Sequence, residues 1–202
     1  MLKGKKVILR PIDIERDLER CAVWINDYEV MQFLGKPFKP ITKDQERSLL
    51  QKIISNESNV VFAIDTLEGV HIGITSLVHV CHFDGTAITG TFIGNKEYWG
   101  KGLGTDAKMV LLWYAFEVLN LRRINSHVLA FNERSVKCQL RCGYKVEGVK
   151  KQEVYKNGRY HDLVMMAVFR DDWLPLWREY QGLEEKSAES GRRKGSWVSA
   201  MD

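Results

Sequence analysis

Three glycines in Trp99-Gly-Lys-Gly-Leu-Gly-Thr105, set directly between a strand-patterned and a helix-patterned segment, constrain this chain more than any other feature. Glycine lets backbone N–H groups come close to a guest, and the N-terminus of the helix that follows adds partial positive charge, so phosphate is the natural ligand of such a loop. Two phosphate readers are excluded by the residues. A Walker A loop needs Gly-Lys followed by Ser or Thr, and here Lys101 is followed by Gly102. A dinucleotide fingerprint needs Gly-x-Gly-x-x-Gly and an acid at the end of the next strand, whereas this chain has Gly100-Lys-Gly-Leu-Gly104 and then Ala130-Phe-Asn132. What remains is a plain glycine-rich turn or a third kind of pyrophosphate loop.

The segments around the loop set the architecture. Val7 to Ile12 reads as a strand, followed by Asp13 as N-cap of a helix through Trp24, and a short helix is expected over Glu29 to Leu34. Thr42-Lys-Asp-Gln45 has the form of a capping box, with Leu49, Leu50, Ile53 and Ile54 making one apolar face behind it. Strands are expected over Val60 to Asp65 and Val70 to Val80, then Thr86 to Ile93 after the Asp84-Gly85 turn. Beyond the loop, Ala107, Leu111, Tyr114, Val118 and Leu121 give a long helix its core-facing stripe, and Ile124 to Ala130 reads as a strand. Asn132 can cap a helix that runs to Cys142 and ends at Gly143. Strands over Tyr144 to Tyr155 and Tyr160 to Phe169 flank Asn157-Gly158, and a helix from Asp171 to Tyr180 closes the pattern. The fold class expected is mixed α/β (α+β): a mostly antiparallel central sheet flanked by helices, with one parallel crossover between the strands at Thr86 and Ile124.

Charge narrows the partners. Lys and Arg number 30 against 26 Asp and Glu, a net +4 spread along the chain, which supplies no basic arm for nucleic acid. No apolar run approaches the roughly 20 residues needed to cross a bilayer, and Met1-Leu-Lys-Gly-Lys-Lys has no apolar leader, so no membrane partner and a cytoplasmic location are expected. Cys21, Cys81, Cys138 and Cys142 lack the paired spacing of a zinc site, and His79, Cys81 and His82 do not converge from two elements. Reduced thiols and no metal are the expectation.

The ordered motifs carry a family resemblance. Ala87 through Ala107, Leu121-Arg-Arg-Ile-Asn-Ser-His-Val, Asn132-Glu-Arg-Ser135, Cys142-Gly-Tyr144 and Glu147-Gly148 together resemble the GNAT superfamily, in particular the branch of ribosomal-protein alanine and serine N-acetyltransferases and spermidine N-acetyltransferases. The likeness runs from about Leu9 to Phe169. Three positions depart from the superfamily: Trp99 stands where many members have Gln or Arg, Gln139 where many have the Tyr that protonates the departing thiolate, and Ile88 where related sequences carry Glu.

The resemblance implies a single acyl-CoA N-acyltransferase domain over residues 1–181 and acetyl-CoA as co-substrate; the Glu, Lys, Ser, Gly and Arg richness past Gly182 reads as a flexible tail over 182–202. It implies transfer to an amine, a protein N-terminus or a small molecule such as a polyamine, directly in a ternary complex. Pantetheine is expected beside Phe92 and Ile93, with an Ile93 N–H toward the thioester oxygen, pyrophosphate on the N–H groups of Lys101, Gly102, Leu103, Gly104 and Thr105, and Trp99 and Gly100 among the cofactor-binding residues. Asn132 and Ser135 are expected on the coenzyme side, Ser135 standing in as the group that assists the leaving thiolate. Trp24, Asp27, Tyr28 and His161 are expected on the acceptor side. A homodimer is one open assembly state. The competing readings are an amino-sugar or aminoglycoside N-acetyltransferase and a non-catalytic coenzyme A sensor or ribosome-associated protein.

Overall fold

A computed structural model describes residues 1–183. Its centre is an eight-stranded sheet in the order β1-β2-β3-β4-β5-β6-β8-β7, built from β1 (Leu2–Lys3), β2 (Val7–Pro11), β3 (Val60–Thr66), β4 (His71–Cys81), β5 (Thr86–Ile93), β6 (Arg123–Leu129), β7 (Lys145–Lys156) and β8 (Arg159–Phe169). Every neighbouring pair is antiparallel except β5 and β6, which are parallel as the crossover predicts. That parallel pairing is short: Thr86, Ala87 and Ile88 face Arg123, Ile124 and Asn125, and the ladder stops there.

The helices start where their caps dictate. Asp13 accepts from the N–H groups of Glu15 and Arg16 to open α1 (Ile14–Ile25), and Thr42 and Gln45 close a reciprocal capping box on α3 (Lys43–Ile54). Between them α2 (Tyr28–Met31) is a single turn capped by Asp27, shorter than the predicted segment over Glu29 to Leu34. After the glycine loop come α4 (Leu103–Trp113), α5 (Glu133–Arg141) and α6 (Arg170–Gln181). Gly143 ends α5 at φ +87°, a conformation that costs residues with a Cβ about 1–2 kcal/mol. Of the predicted 182–202 tail, residues from 184 on lie outside the described part. Among the described residues, no helix is long and apolar enough to cross a membrane.

The predicted stripe on the long helix breaks at Val118. α4 passes into a π-helical turn over Tyr114–Val118, so each further residue advances less than 100° around the axis and Val118 is carried out to solvent while Leu121 stays buried. The main core joins α4 residues such as Leu111 and Leu112 to Ile72, Leu77 and Ile124 of the sheet and to Trp173 of α6. A smaller cluster, Leu18, Cys21, Trp24 and Leu50, packs α1 and α3 against Ile74 and Phe92.

Two polar knots fix these layers. Asp106, buried in the first turn of α4, accepts from the backbone N–H groups of Lys6 (2.8 Å) and Val7 (3.1 Å) and from the Tyr180 hydroxyl (2.7 Å), tying the glycine loop's helix to β2 and α6. Buried Arg10 forks onto both oxygens of Asp17, each at 2.7 Å, and reaches Asp65 at 2.8 Å, joining β2, α1 and β3.

Candidate functional site

Past Ile88 the β5 edge that faces β6 has no strand partner, while β6 stays paired with β8 from Arg123 to Leu129. The fork between β5 and β6 opens into a cavity of about 810 Å³. A strand edge of this kind offers its N–H and C=O groups to any extended guest that carries amides. Phe92 and Ile93 lie on that edge and line the cavity. The indole of Trp99 donates to the Ile93 carbonyl at 2.7 Å, which holds the glycine loop against the strand.

The loop ends at a helix N-terminus that opens onto the cavity. Gly102 is the N-cap of α4 at φ +80°, ψ 2°, and no side chain caps that end. The first-turn N–H groups of a helix lack internal partners, so those of Leu103, Gly104 and Thr105 are available to an anion. Trp99, Gly100, Gly102, Leu103, Gly104 and Thr105 all line the cavity; Lys101 does not, its carbonyl accepting from the Lys6 ammonium and its own ammonium lying 5.2 Å from the Tyr98 ring centre. Arg134, Lys137 and Arg141 of α5 line the same mouth and make it positive. The Arg134 guanidinium is stacked over the Trp99 ring at 4.2 Å.

Asn132 and Ser135 also line the cavity. Asn132 accepts from the Ser135 backbone N–H at 3.2 Å, so it serves as the predicted cap while facing the cavity. The four expected acceptor-side residues lie elsewhere. Trp24 packs edge-on to His71 and Phe92 and fills the space beside Gly94, where an added Cβ would fall 2.1 Å from its ring. Asp27 caps α2 and pairs with Lys96 at 2.8 Å. The Tyr28 hydroxyl bonds the Asn157 side chain, and the His161 ring packs tilted against Phe131, centroids 4.5 Å apart, with Nε2 at 3.1 Å from the Lys156 carbonyl. None of these four is on the cavity wall.

The wall carries further polar groups, of which the sequence reading did not single out Lys108 and Glu46. At the fork, the Lys108 ammonium is buried, bonded to the Thr89 hydroxyl (3.1 Å) and 5.4 Å from the centre of the Tyr144 ring, with no carboxylate beside it; burial pushes its pKa down. Gln139, in the place where many GNAT members have Tyr, donates to Ser126 at 2.6 Å and keeps Oε1 buried without a partner. The neighbouring Cys142 thiol, together with Lys108, holds the Cys138 thiol below the usual range, against the pull of burial. At the other end, Glu46 of α3 is buried and burial pushes its carboxyl up to about 7. Glu46 and Lys108 had one signal in common: each is a charged residue at helical spacing from apolar core positions, Leu50 and Ile53 in one case and Leu111 and Leu112 in the other.

Comparison with known proteins follows the same lines. The family model described as "Acetyltransferase (GNAT) domain" matches residues 6–145. The chain is 30% identical over 175 residues to spermidine N(1)-acetyltransferase of Escherichia coli K12, covering 86% of this chain and 91% of that one. It is 30% identical over 97 residues to the ribosomal protein uS5 alanine N-acetyltransferase of the same strain, 48% of this chain and 46% of that one. Among solved structures, spermidine N-acetyltransferase from Vibrio cholerae in complex with CoA and spermine superposes with a TM-score of 0.77 at 26% identity, over 83% of this chain and 98% of that one.

Proposed function

We infer what this protein does from the family it belongs to, that of the GNAT acetyltransferases, whose domain model spans residues 6–145 of its 202. It is an acetyl-CoA-dependent N-acetyltransferase. Its acceptor is a primary amine, a small molecule or a protein N-terminus, and the acetyl group passes directly from thioester to amine while both substrates are bound. The observation that carries this reading is the opening of the uncapped α4 N-terminus and the unpaired β5 edge onto one cavity. A molecule with a diphosphate at one end and two amides on an extended arm matches that pair of features. The polyamine acetyltransferase relatives support a small amine as the guest beyond the thioester.

The chemistry follows from the wall. Pyrophosphate rests on the N–H groups of Leu103 to Thr105 with Arg134, Lys137 and Arg141 around it, and the pantetheine amides pair with β5 at Phe92 and Ile93. The amine nitrogen attacks the acetyl carbon, the oxygen takes the negative charge beside the Ile93 N–H, and the C–S bond breaks. Such positioning and oxyanion stabilisation supply most of the rate in a transfer of this kind. Ser135 bonds the departing thiolate and relays a proton to it from water, since an aliphatic hydroxyl is too weak an acid to protonate it unaided.

Cys138 makes the direct route testable, because a lowered thiol pKa is what a covalent route would need. Its sulfur accepts from the Thr105 hydroxyl at 3.4 Å, on the wall of the same cavity. Mass spectrometry after incubation with acetyl-CoA alone is expected to return an unmodified chain, and a stoichiometric acetyl adduct on Cys138 would replace direct transfer by a two-step route. In steady-state assays Ser135→Ala is expected to lower kcat about 10-fold with coenzyme affinity kept. A parental kcat, with chemistry limiting, would remove Ser135 from the mechanism.

A further inference from the structure

The end of the cavity away from the glycine loop is walled by Cys21 and Ile25 of α1, Met31 of α2, Leu50 and Ile53 of α3 and Ile74 of β4. One side chain breaks this apolar surface. Glu46 leaves α3 one turn before Leu50, is 4% exposed, and lines the cavity. Its Oε2 has no hydrogen-bond partner, and no described residue forms an ion pair with it. It is the one carboxylate among the described residues that line the cavity. Burying a carboxyl without a partner costs stability, and a group kept in that condition on a cavity wall is one whose partner arrives with the ligand.

We propose that Glu46 is the acceptor-amine site: it receives the ammonium of the incoming substrate and takes one proton from it, and the apolar wall restricts acceptors to primary amines with a single positive charge on an apolar body. This rests on the acetyl-transfer reading above. The balance is simple. Glu46 carboxylate and R–NH3⁺ become Glu46 carboxylic acid and R–NH2; the amine nitrogen bonds the acetyl carbon, the second proton leaves the nitrogen for water, the sulfur leaves and is protonated, and Glu46 returns its proton to water. The net products are the amide, the free thiol and one proton. Polyamines fit this wall poorly. A second or third ammonium would be set among Met31, Leu50, Ile53 and Ile74 with no second carboxylate to meet it.

The groups facing Glu46 are few. Lys36, on the connection from α2 to α3, acts on it through space and favours its charged form, while burial acts against it. Cys21 faces it from α1, and burial pushes that thiol up to about 12, outside the working range. Cys138, held down to about 6 on the wall of the same cavity, is the other group that titrates in this range, so a limb near pH 7 in the amine's kcat/KM belongs to Glu46 where Glu46→Gln abolishes it.

The test measures acetylation of 2-phenylethylamine, n-hexylamine and spermidine by the full chain and by Glu46→Gln, with acetyl-CoA affinity and melting temperature recorded for both. The monoamines are expected to exceed spermidine in kcat/KM by at least 10-fold. Glu46→Gln is expected to lower the monoamine kcat/KM by about 100-fold or more and to abolish the limb near pH 7. Acetyl-CoA affinity should be unchanged, and the melting temperature at pH 8 equal or higher, because a buried lone charge has gone. Parental kcat/KM in Glu46→Gln, or spermidine as the better substrate, overturns the inference and leaves acetyl transfer standing. Acetylation of none of the three, with coenzyme bound, overturns the inference and leaves acetyl transfer to be tested on a protein N-terminus.

Discussion

Gly102→Val is expected to weaken acetyl-CoA binding by at least about 100-fold. Gly102 holds φ +80° at the N-cap of α4, and a β-branched residue there is a backbone outlier, so the loop must rotate to relieve it. Rotation turns the N–H groups of Leu103 to Thr105 off a shared anion. Hydrogen bonds to charged groups contribute about 1.5–3 kcal/mol each, so losing two amounts to roughly 3–6 kcal/mol, or 10²- to 10⁴-fold. Steric exclusion inside the protein is a minor part, since an added Cβ meets only the flexible Lys6 ammonium, at 3.2 Å. Gly104→Ala separates the ligand effect from folding. A Cβ at Gly104 makes an ordinary 3.7 Å contact with Ile93, and Ala favours a helix interior by about 1 kcal/mol over Gly, so the fold should hold or gain while the methyl group enters the phosphate's space. Titration of both variants by calorimetry beside their melting curves checks this. Parental affinity in a folded Gly102→Val would remove the loop from coenzyme binding.

Arg10→Met is expected to cost about 3–5 kcal/mol of stability at pH 7, which lowers the melting temperature by roughly 6–20 °C in a domain of this size. Arg10 is 6% exposed and supplies three charge-assisted bonds to two carboxylates, Asp17 at 0% and Asp65 at 4% exposure. Removing it leaves Asp17 in a dry site with only His71 and the Asp13 N–H, and Asp65 with only Arg16. Burial pushes the Asp17 carboxyl up, but its bonds to Arg10, the field of His71 and the Asp13 N–H more than offset this and hold it below the ordinary value. A carboxyl depressed in the folded state contributes stability above its unfolded pKa and loses it as pH falls through the folded one. The parent should therefore keep this contribution at pH 7 and lose it only below about pH 4. In Arg10→Met the largest part of the offset is gone and burial dominates, so protonation relieves the variant and the stability gap should narrow as pH drops from 7 to 4. Denaturant unfolding at both pH values measures it. A gap that does not change with pH would mean that lost packing, not the buried charge, sets the cost.

The elements most legible in the sequence are those specified locally. The Asp13 cap, the Thr42 and Gln45 box, the turn at Asn157-Gly158 and the Gly143 stop each depend on a few adjacent residues, and each appears where the chain spells it. The coenzyme side was legible for the same reason, its parts lying within one run from Phe92 to Ser135. The π-helical turn at Tyr114–Val118 was not, because nothing in its five residues marks the change of pitch that exposes Val118. The acceptor side is assembled from three helices and a strand, and its contacts are long-range. Asp27 looks free in the sequence, yet Lys96 takes it across 69 positions; Trp24 looks like a pocket wall, yet Gly94 and Phe92 enclose it. Glu46 could be found only by asking why a carboxylate shares a helical face with Leu50 and Ile53.

The central claim is that the cavity transfers acetyl from coenzyme A to an amine, and the most direct measurement is release of free thiol from acetyl-CoA across a panel of primary amines, with the acylated product weighed by mass spectrometry. The account predicts thiol release that requires an amine, equals the acetylated amine formed, and is lost in Gly102→Val. Thiol release that no amine raises above the amine-free rate, from protein that binds the coenzyme, would contradict it.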